Sequence, residues 1–155
     1  MAKITMLGTG NGGTIDLYNT CFAIQNEQGV FLIDTGGSIE IIRRLKQSDI
    51  KLEEIKNKFS NSHTDHILGL IWMFKKMSRM AMHGEIKEKI NIYCNDVVYE
   101  AIKGVSGYIL PPALMKAIYS ITNFVVLNDD TEKYFDNEYN NVFPKDKRII
   151  GVLCR

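Results

Sequence analysis

In the stretch FSNSHTDHILGL (Phe59–Leu70), His63, Asp65 and His66 fall within four residues. Imidazole and carboxylate are the ordinary protein ligands of zinc and related divalent ions. The apolar residues Ile67, Leu68, Leu70, Ile71 and Phe74 that follow predict a helix, buried over much of its surface, from His66 to about Met77. Lys56–Ser60 reads as a strand entering the motif. In a sharp turn between strand and helix, His63 and Asp65 could project to one side, with His66 reaching the same space from the helix start. The competing reading is a capping turn, in which Thr64 or Asp65 caps the helix and the histidines are incidental. Three ligand-type residues at one strand–loop–helix junction favour the metal-derived site.

A second pattern offers different chemistry. Gly8, Gly10 and Gly13 satisfy G-x-G-x-x-G after a strand, and Asp34 ends a later strand, the written form of a dinucleotide-binding fingerprint. That fingerprint works when its last glycines open a helix facing the pyrophosphate. Here Thr14–Asn19 is too short for a crossover helix and Thr20–Ile24 is already strand-like, whereas a parallel β-α-β unit needs roughly a dozen or more residues between strands. A tight glycine turn joining two antiparallel strands is expected instead of a phosphate cradle.

The elements that must position these residues follow from periodicity. Lys3–Gly8, Asn19–Gln25 and Val30–Asp34 are strand-like, the last two separated by a polar turn, Asn26-Glu27-Gln28-Gly29. Ser38 is placed to cap a helix through Gln47, with Ile39, Ile41, Ile42 and Leu45 forming its apolar stripe. Lys89–Cys94 is a strand, Asp96–Val105 a helix, Pro111-Pro112 the opening of another helix to about Ile121, and Asn123–Leu127 a final strand. The order β-β-β-α-β-α-β-α-α-β predicts a layered α/β protein with an early meander and later helices. From residue 128 onward the chain turns polar and asparagine-rich, without sustained period until Ile149–Leu153.

Taken together, ITMLGTGNGGT (4–14), NTCFAI (19–24), GVFLIDTGG (29–37) and SNSHTDHILGL (60–70) resemble the metallo-β-lactamase fold, in its ribonuclease Z-like branch. INIYCNDVVYEAIKGV (90–105) is similar to the strand and helix that follow in that branch. The resemblance covers roughly Ile4 to Leu127. It implies an αββα sandwich with two metal ions, usually zinc and sometimes manganese, at the sheet edge. It also implies hydrolysis, often of phosphodiester bonds in small molecules or RNA, with a metal-activated water. In the family motif HxHxDH the first two histidines hold one ion, and the aspartate and last histidine hold the other. Carried over, His63 belongs to the first site and Asp65 and His66 to the second, with Asp65 also orienting or deprotonating the attacking water. Asp34 matches a residue that supports the ligands from behind.

The chain departs from that pattern in several places. Asn61 stands where the first histidine of the motif belongs, and an amide oxygen suits calcium or magnesium better than zinc. The family takes a further histidine, a bridging aspartate and a last histidine from downstream segments. His83 lies too close behind the motif to serve as one of these, and Asp129, Asp130 and Asp136 lack the expected context. Residues 1–127 therefore read as the first αβ half of the sandwich and 128–155 as a poorly specified tail, with the second half largely missing. A half-sandwich leaves one sheet face without its partner. The expectation is that the tail covers that face, that two chains pair as a homodimer, or that the fold is marginally stable. A truncated copy of a longer hydrolase would account for the tail, Asn61 and the absent ligands together, leaving at most one weakly bound ion.

Bulk properties narrow the remaining choices. With 155 residues, 45% hydrophobic and 24% charged, the chain is expected to form one globular domain. A net charge of +1 gives no reason to expect a strongly basic nucleic-acid surface. The longest apolar stretch, His66–Phe74, is far below the ~20 residues of a membrane helix, and MAKITMLGTG lacks a signal-peptide pattern. Cys21, Cys94 and Cys154, odd in number and far apart, fit a reducing cytoplasm. Two functions remain from different classes: a metal-dependent hydrolase of phosphodiesters, and a non-catalytic domain of the same fold acting through chain pairing. A nucleotide-binding module built on the glycine run is the weakest alternative. No lysine- and glycine-rich insertion suited to gripping tRNA is found, so tRNA as substrate rests on analogy.

Overall fold

A computed structural model describes residues 1–59 and 63–127. Three strands open the chain: β1 (Lys3–Gly8), β2 (Cys21–Asn26) and β3 (Gly29–Ile33). They pair antiparallel in sequence order, with Asn26 opposite Gly29 closing the predicted two-residue hairpin. Helix α1 (Glu40–Gln47), a 3-10 turn at Leu52–Glu54 and β4 (Ile55–Phe59) follow, then α2 (Thr64–Met82), β5 (Ile90–Cys94), α3 (Asp96–Ile109), α4 (Pro112–Ile121) and β6 (Thr122–Val126). Strands β3 to β6 are parallel, and the six-stranded sheet keeps chain order from β1 to β6. The predicted order of elements is the observed one. The antiparallel β1–β2 pair bears out the expected pairing over a dinucleotide cradle, but the connection is a long loop from Gly8 to Cys21, not a tight glycine turn.

Boundaries differ where burial outruns the local pattern. Helix α2 runs past Met77 because Ser78 and Met80 continue its buried face, and it ends at Met82, with His83 as its C-cap and Gly84 following in the left-handed region. Helix α3 continues through Gly104 and Gly107 to Ile109, carried by the buried Ile102, Ser106 and the following Leu110. Its start is capped by Asn95, whose Oδ1 accepts from the Val98 amide at 2.8 Å. In α1, Ser38 Oγ accepts from the Glu40 amide at 3.2 Å although the helix itself begins two residues later than Ser38.

The two sheet faces have separate cores. Residues of all four helices pack on one face with Leu7, Cys21, Ala23, Val30, Leu32, Ile55, Ile90, Ile92 and Cys94 of the strands. The other face carries Ile24, Phe31, Ile33 and Leu127, joined by Phe22, Tyr93 and Val125 and by no helical residue. Polar side chains share this second face: Asn91 Nδ2 donates to Asn57 Oδ1, and Asn123 Nδ2 to Asn91 Oδ1, both at 3.1 Å. Among the described residues, no helix is long and apolar enough to cross a membrane. Cys21 and Cys94 are buried and form no disulfide among the described residues. Cys154, and the tail beginning at residue 128, lie outside the described residues.

One irregularity in the sheet matters for the site. Val30 pairs with Ile55 but Phe31 with Asn57, so β4 spends one extra residue against β3. After this bulge the alternation of β4 is inverted. Lys58, opposite Leu32, points into the helix-side core, where it lines a small cavity with Leu70, Met73 and Phe74. Lys56, ahead of it, reaches the surface and pairs with Glu88.

Candidate metal centre

Strands β3 and β4 are parallel neighbours, so their C-terminal ends deliver two loops to the same edge of the sheet. From β3 comes Asp34, held at φ 65°, in the left-handed region that costs a non-glycine residue conformational energy. Its Oδ1 accepts from the Thr35 amide at 2.6 Å. From β4 the chain returns to the described residues at His63 and enters α2. Asn61 lies outside the described residues, so its place relative to the site is known from sequence alone.

Helix α2 is fastened to the Asp34 loop. Thr35 Oγ1 donates to the carbonyl of His66 at 2.5 Å, and the Gly69 amide donates to the Gly36 carbonyl at 2.9 Å. Gly69 permits this approach, since a Cβ there would lie 2.0 Å from the Thr35 carbonyl oxygen. Tyr18 closes the far side, its hydroxyl donating to the carbonyls of Thr35 at 2.7 Å and Ser38 at 3.0 Å. Burial pushes the Tyr18 phenol up to about 12.

On this frame His63, exposed, and Asp65 and His66, half-buried, each offer a ligand atom, and the three atoms lie within 4.8 Å of one another. His66 is the best fixed. Its Nδ1 meets the carboxylate of Asp34, and its Nε2 lies 3.0 Å from Asp65 Oδ2. The Asp34 bond, with the charges of Asp34 and Asp65, raises the His66 pKa against the opposing effects of burial and Lys58. An imidazole whose Nδ1 is held by a carboxylate has Nε2 as its ligating nitrogen, the arrangement found behind metal-ligating histidines. Two imidazoles and a carboxylate also form a borderline donor set suited to zinc. The residues present therefore fit a metal ion.

Of the residues singled out from sequence, His63, Asp65, His66 and Asp34 come together. His83 does not; it is exposed at the C-terminal end of α2. Asp129, Asp130 and Asp136 lie outside the described residues. The capping-turn alternative finds no support at the helix start, where His63 is the N-cap and makes no side-chain capping bond. Three contributors escaped sequence reasoning: Thr35, Tyr18 and Gly12, whose backbone lies against the Asp65 carboxylate. The paired loop glycines at 36 and 37 were the available signal for a close approach there.

The model of one protein family, described as Anti-Pycsar protein Apyc1, matches residues 2–106. No curated protein matches. Among solved structures, a diphosphatase of the PhnP family is 19% identical with a TM-score of 0.62, over 87% of this chain and 54% of its own. The metallo-β-lactamase fold protein YhfI from Bacillus subtilis is 17% identical with a TM-score of 0.63, over 84% and 48%. Human tRNase Z, short form, is 22% identical with a TM-score of 0.55, over 70% and 39%. These likenesses show the metallo-β-lactamase fold. The chain spans about half, or less, of the length of the structures it matches, and its described residues supply the first αβ half of the sandwich.

Proposed function

The chain belongs to the family of the anti-Pycsar protein Apyc1, and on that premise we propose that it is a metal-dependent hydrolase of phosphodiesters, with His63, Asp65 and His66 as metal ligands. The observation that carries this reading is the convergence of those three ligand atoms within 4.8 Å, with Asp34 behind His66. Zinc or manganese bound there would lower the pKa of a water and draw charge from phosphoryl oxygens. Asp34 fixes the ring of His66 and commits its Nε2 to the site. Asp65, in the first turn of α2, has its Oδ2 beside that nitrogen, where it can also orient or accept a proton from a water. His63, more exposed, stands on the solvent side, where a substrate enters.

Action against Pycsar, the role in the family's name, belongs to the same proposal. Small phosphodiesters are preferred over RNA, since the chain lacks a basic insertion for gripping tRNA. A cytoplasmic location suits buried cysteines, Cys21 and Cys94, that form no disulfide among the described residues. A second reading is favoured by Asn61: a non-catalytic domain of this fold acting through pairing of two chains, with at most one weakly held ion.

Metal analysis and turnover separate the two readings. Purified protein loaded with zinc or manganese is expected to retain metal after desalting and to cleave a bis-aryl phosphodiester. Less than one ion per chain with no turnover, together with a dimer on sizing, would leave only the second reading.

A further inference from the structure

The glycine run that resembles a dinucleotide loop approaches the metal cluster. A Cβ on Gly12 would lie 2.7 Å from Asp65 Oδ2 and 3.1 Å from its Cγ. A Cβ on Gly37 would lie 3.2 Å from Asp65 Cα. Asp65 thus lies against two backbone walls, one from the β1–β2 loop and one from the β3 loop. Asn19 ties the walls together: its Oδ1 accepts from the Gly37 amide at 3.2 Å, and its Nδ2 donates to the Asn11 carbonyl at 3.1 Å. The loop is also closed at its base, where the Gly10 amide donates to the Tyr18 carbonyl and the Thr20 amide to the Gly10 carbonyl, both at 2.7 Å.

From this geometry we infer that Gly12 is a positioning residue for Asp65, its missing side chain leaving the carboxylate in its place beside His66 Nε2. The inference rests on the metal-centre reading above. At Gly69 a methyl would strike backbone, and the cost would fall on the fold. At Gly12 the atoms in the way are the carboxylate itself, which can swing aside. A methyl there moves the ligand oxygen while leaving the backbone free to fold. Gly13 is the internal control, because a Cβ there meets only Asn11 Oδ1, at an ordinary 3.8 Å.

The test compares Gly12→Ala and Gly13→Ala by cobalt(II) titration, reading the visible absorption of the bound ion, beside thermal melts of the metal-free proteins. Gly12→Ala is expected to keep its melting temperature, bind cobalt at least tenfold more weakly, and change the cobalt spectrum. Gly13→Ala is expected to match wild type. Wild-type affinity and spectrum in Gly12→Ala would overturn the inference. Should Gly12→Ala lower the melting temperature, the same change is made in Asp65→Ala. A loss that vanishes there supports the contact, and one that persists overturns it. Wild-type protein that binds no cobalt would overturn the metal reading and this inference with it, whereas a wild type that binds beside an unchanged Gly12→Ala overturns the inference alone.

Discussion

The carboxylate of Asp34 meets Nδ1 of His66, joining the end of β3 to the first turn of α2. Asp34 adopts φ 65° to make this contact, so the loop holds a disfavoured conformation where the ligand needs support. Removing the charge while keeping the shape isolates its effect. Asparagine tolerates the left-handed region about as well as aspartate, so Asp34→Asn is expected to fold normally. Zinc affinity should fall roughly 10- to 100-fold, the usual effect of losing such a supporting carboxylate. Competition against a chromophoric chelator measures this, and unchanged affinity would show that Asp34 does not support the ligand.

Lys58 makes stability depend on pH. It is buried, and among the described residues its Nζ has no hydrogen-bond partner. Burial lowers its pKa from 10.5 to about 7, against the opposing pull of the Asp34 carboxylate. The Cys21 thiol is itself pushed up to about 12 by burial, so it stays neutral throughout this window. Between pH about 7 and 10.5 the unfolded chain holds a proton that the folded chain has released. Unfolding free energy therefore rises with pH across that window, and the full cost of the buried amine is felt below it. Lys58→Met, which fills the same space among Leu70, Met73 and Phe74, is expected to be more stable at pH 7 by on the order of a few kcal/mol. The gain should shrink toward pH 10, as read by urea unfolding at each pH. A gain independent of pH would assign the effect to packing instead of charge.

The sequence carried the order of elements because each has a clear composition, period or breaker: the branched and aromatic residues of β2 and β3, the stripe of α2, the prolines before α4. It also carried the cluster of His63, Asp65 and His66, whose spacing is local. What it could not carry depends on partners distant in the chain. Lys58 sits in a strand, Ile55-Lys56-Asn57-Lys58-Phe59, whose two lysines at alternate positions read as one solvent face. The bulge against β3 sends one outward and the other into the core. Likewise the glycines at 8, 10 and 13 look the same in sequence whether they cradle a phosphate or let a loop approach Asp65. Only the antiparallel return of β2 decides between these uses.

On the second sheet face Asn91 both donates to Asn57 and accepts from Asn123. Its loss removes a hydrogen bond from each neighbour, whereas loss of Asn123 removes only one. Asn91→Ala is expected to cost about 1–3 kcal/mol and Asn123→Ala, at an exposed position, about 1 kcal/mol or less. Chemical denaturation of the two variants checks the ranking. Equal costs would mean that solvent satisfies the ladder.

Asn61 stands two residues before His63, where the HxHxDH motif that the sequence resembles has an imidazole, and the three donors of the cluster are one short of a tetrahedral set. An amide oxygen contributes little to zinc, while an imidazole at that spacing would add a fourth donor to the ion held by the cluster. Asn61→His is therefore expected to tighten zinc binding at least about tenfold, about 1.4 kcal/mol. The number of ions per chain should not rise above one, because a second ion needs donors beyond the motif. Native mass spectrometry gives the stoichiometry and chelator competition the affinity. Two ions in the variant would mean that further ligands come from other parts of the chain. An unchanged affinity would mean that residue 61 does not reach the ion, and that the His63–Asp65–His66 group defines the site without it.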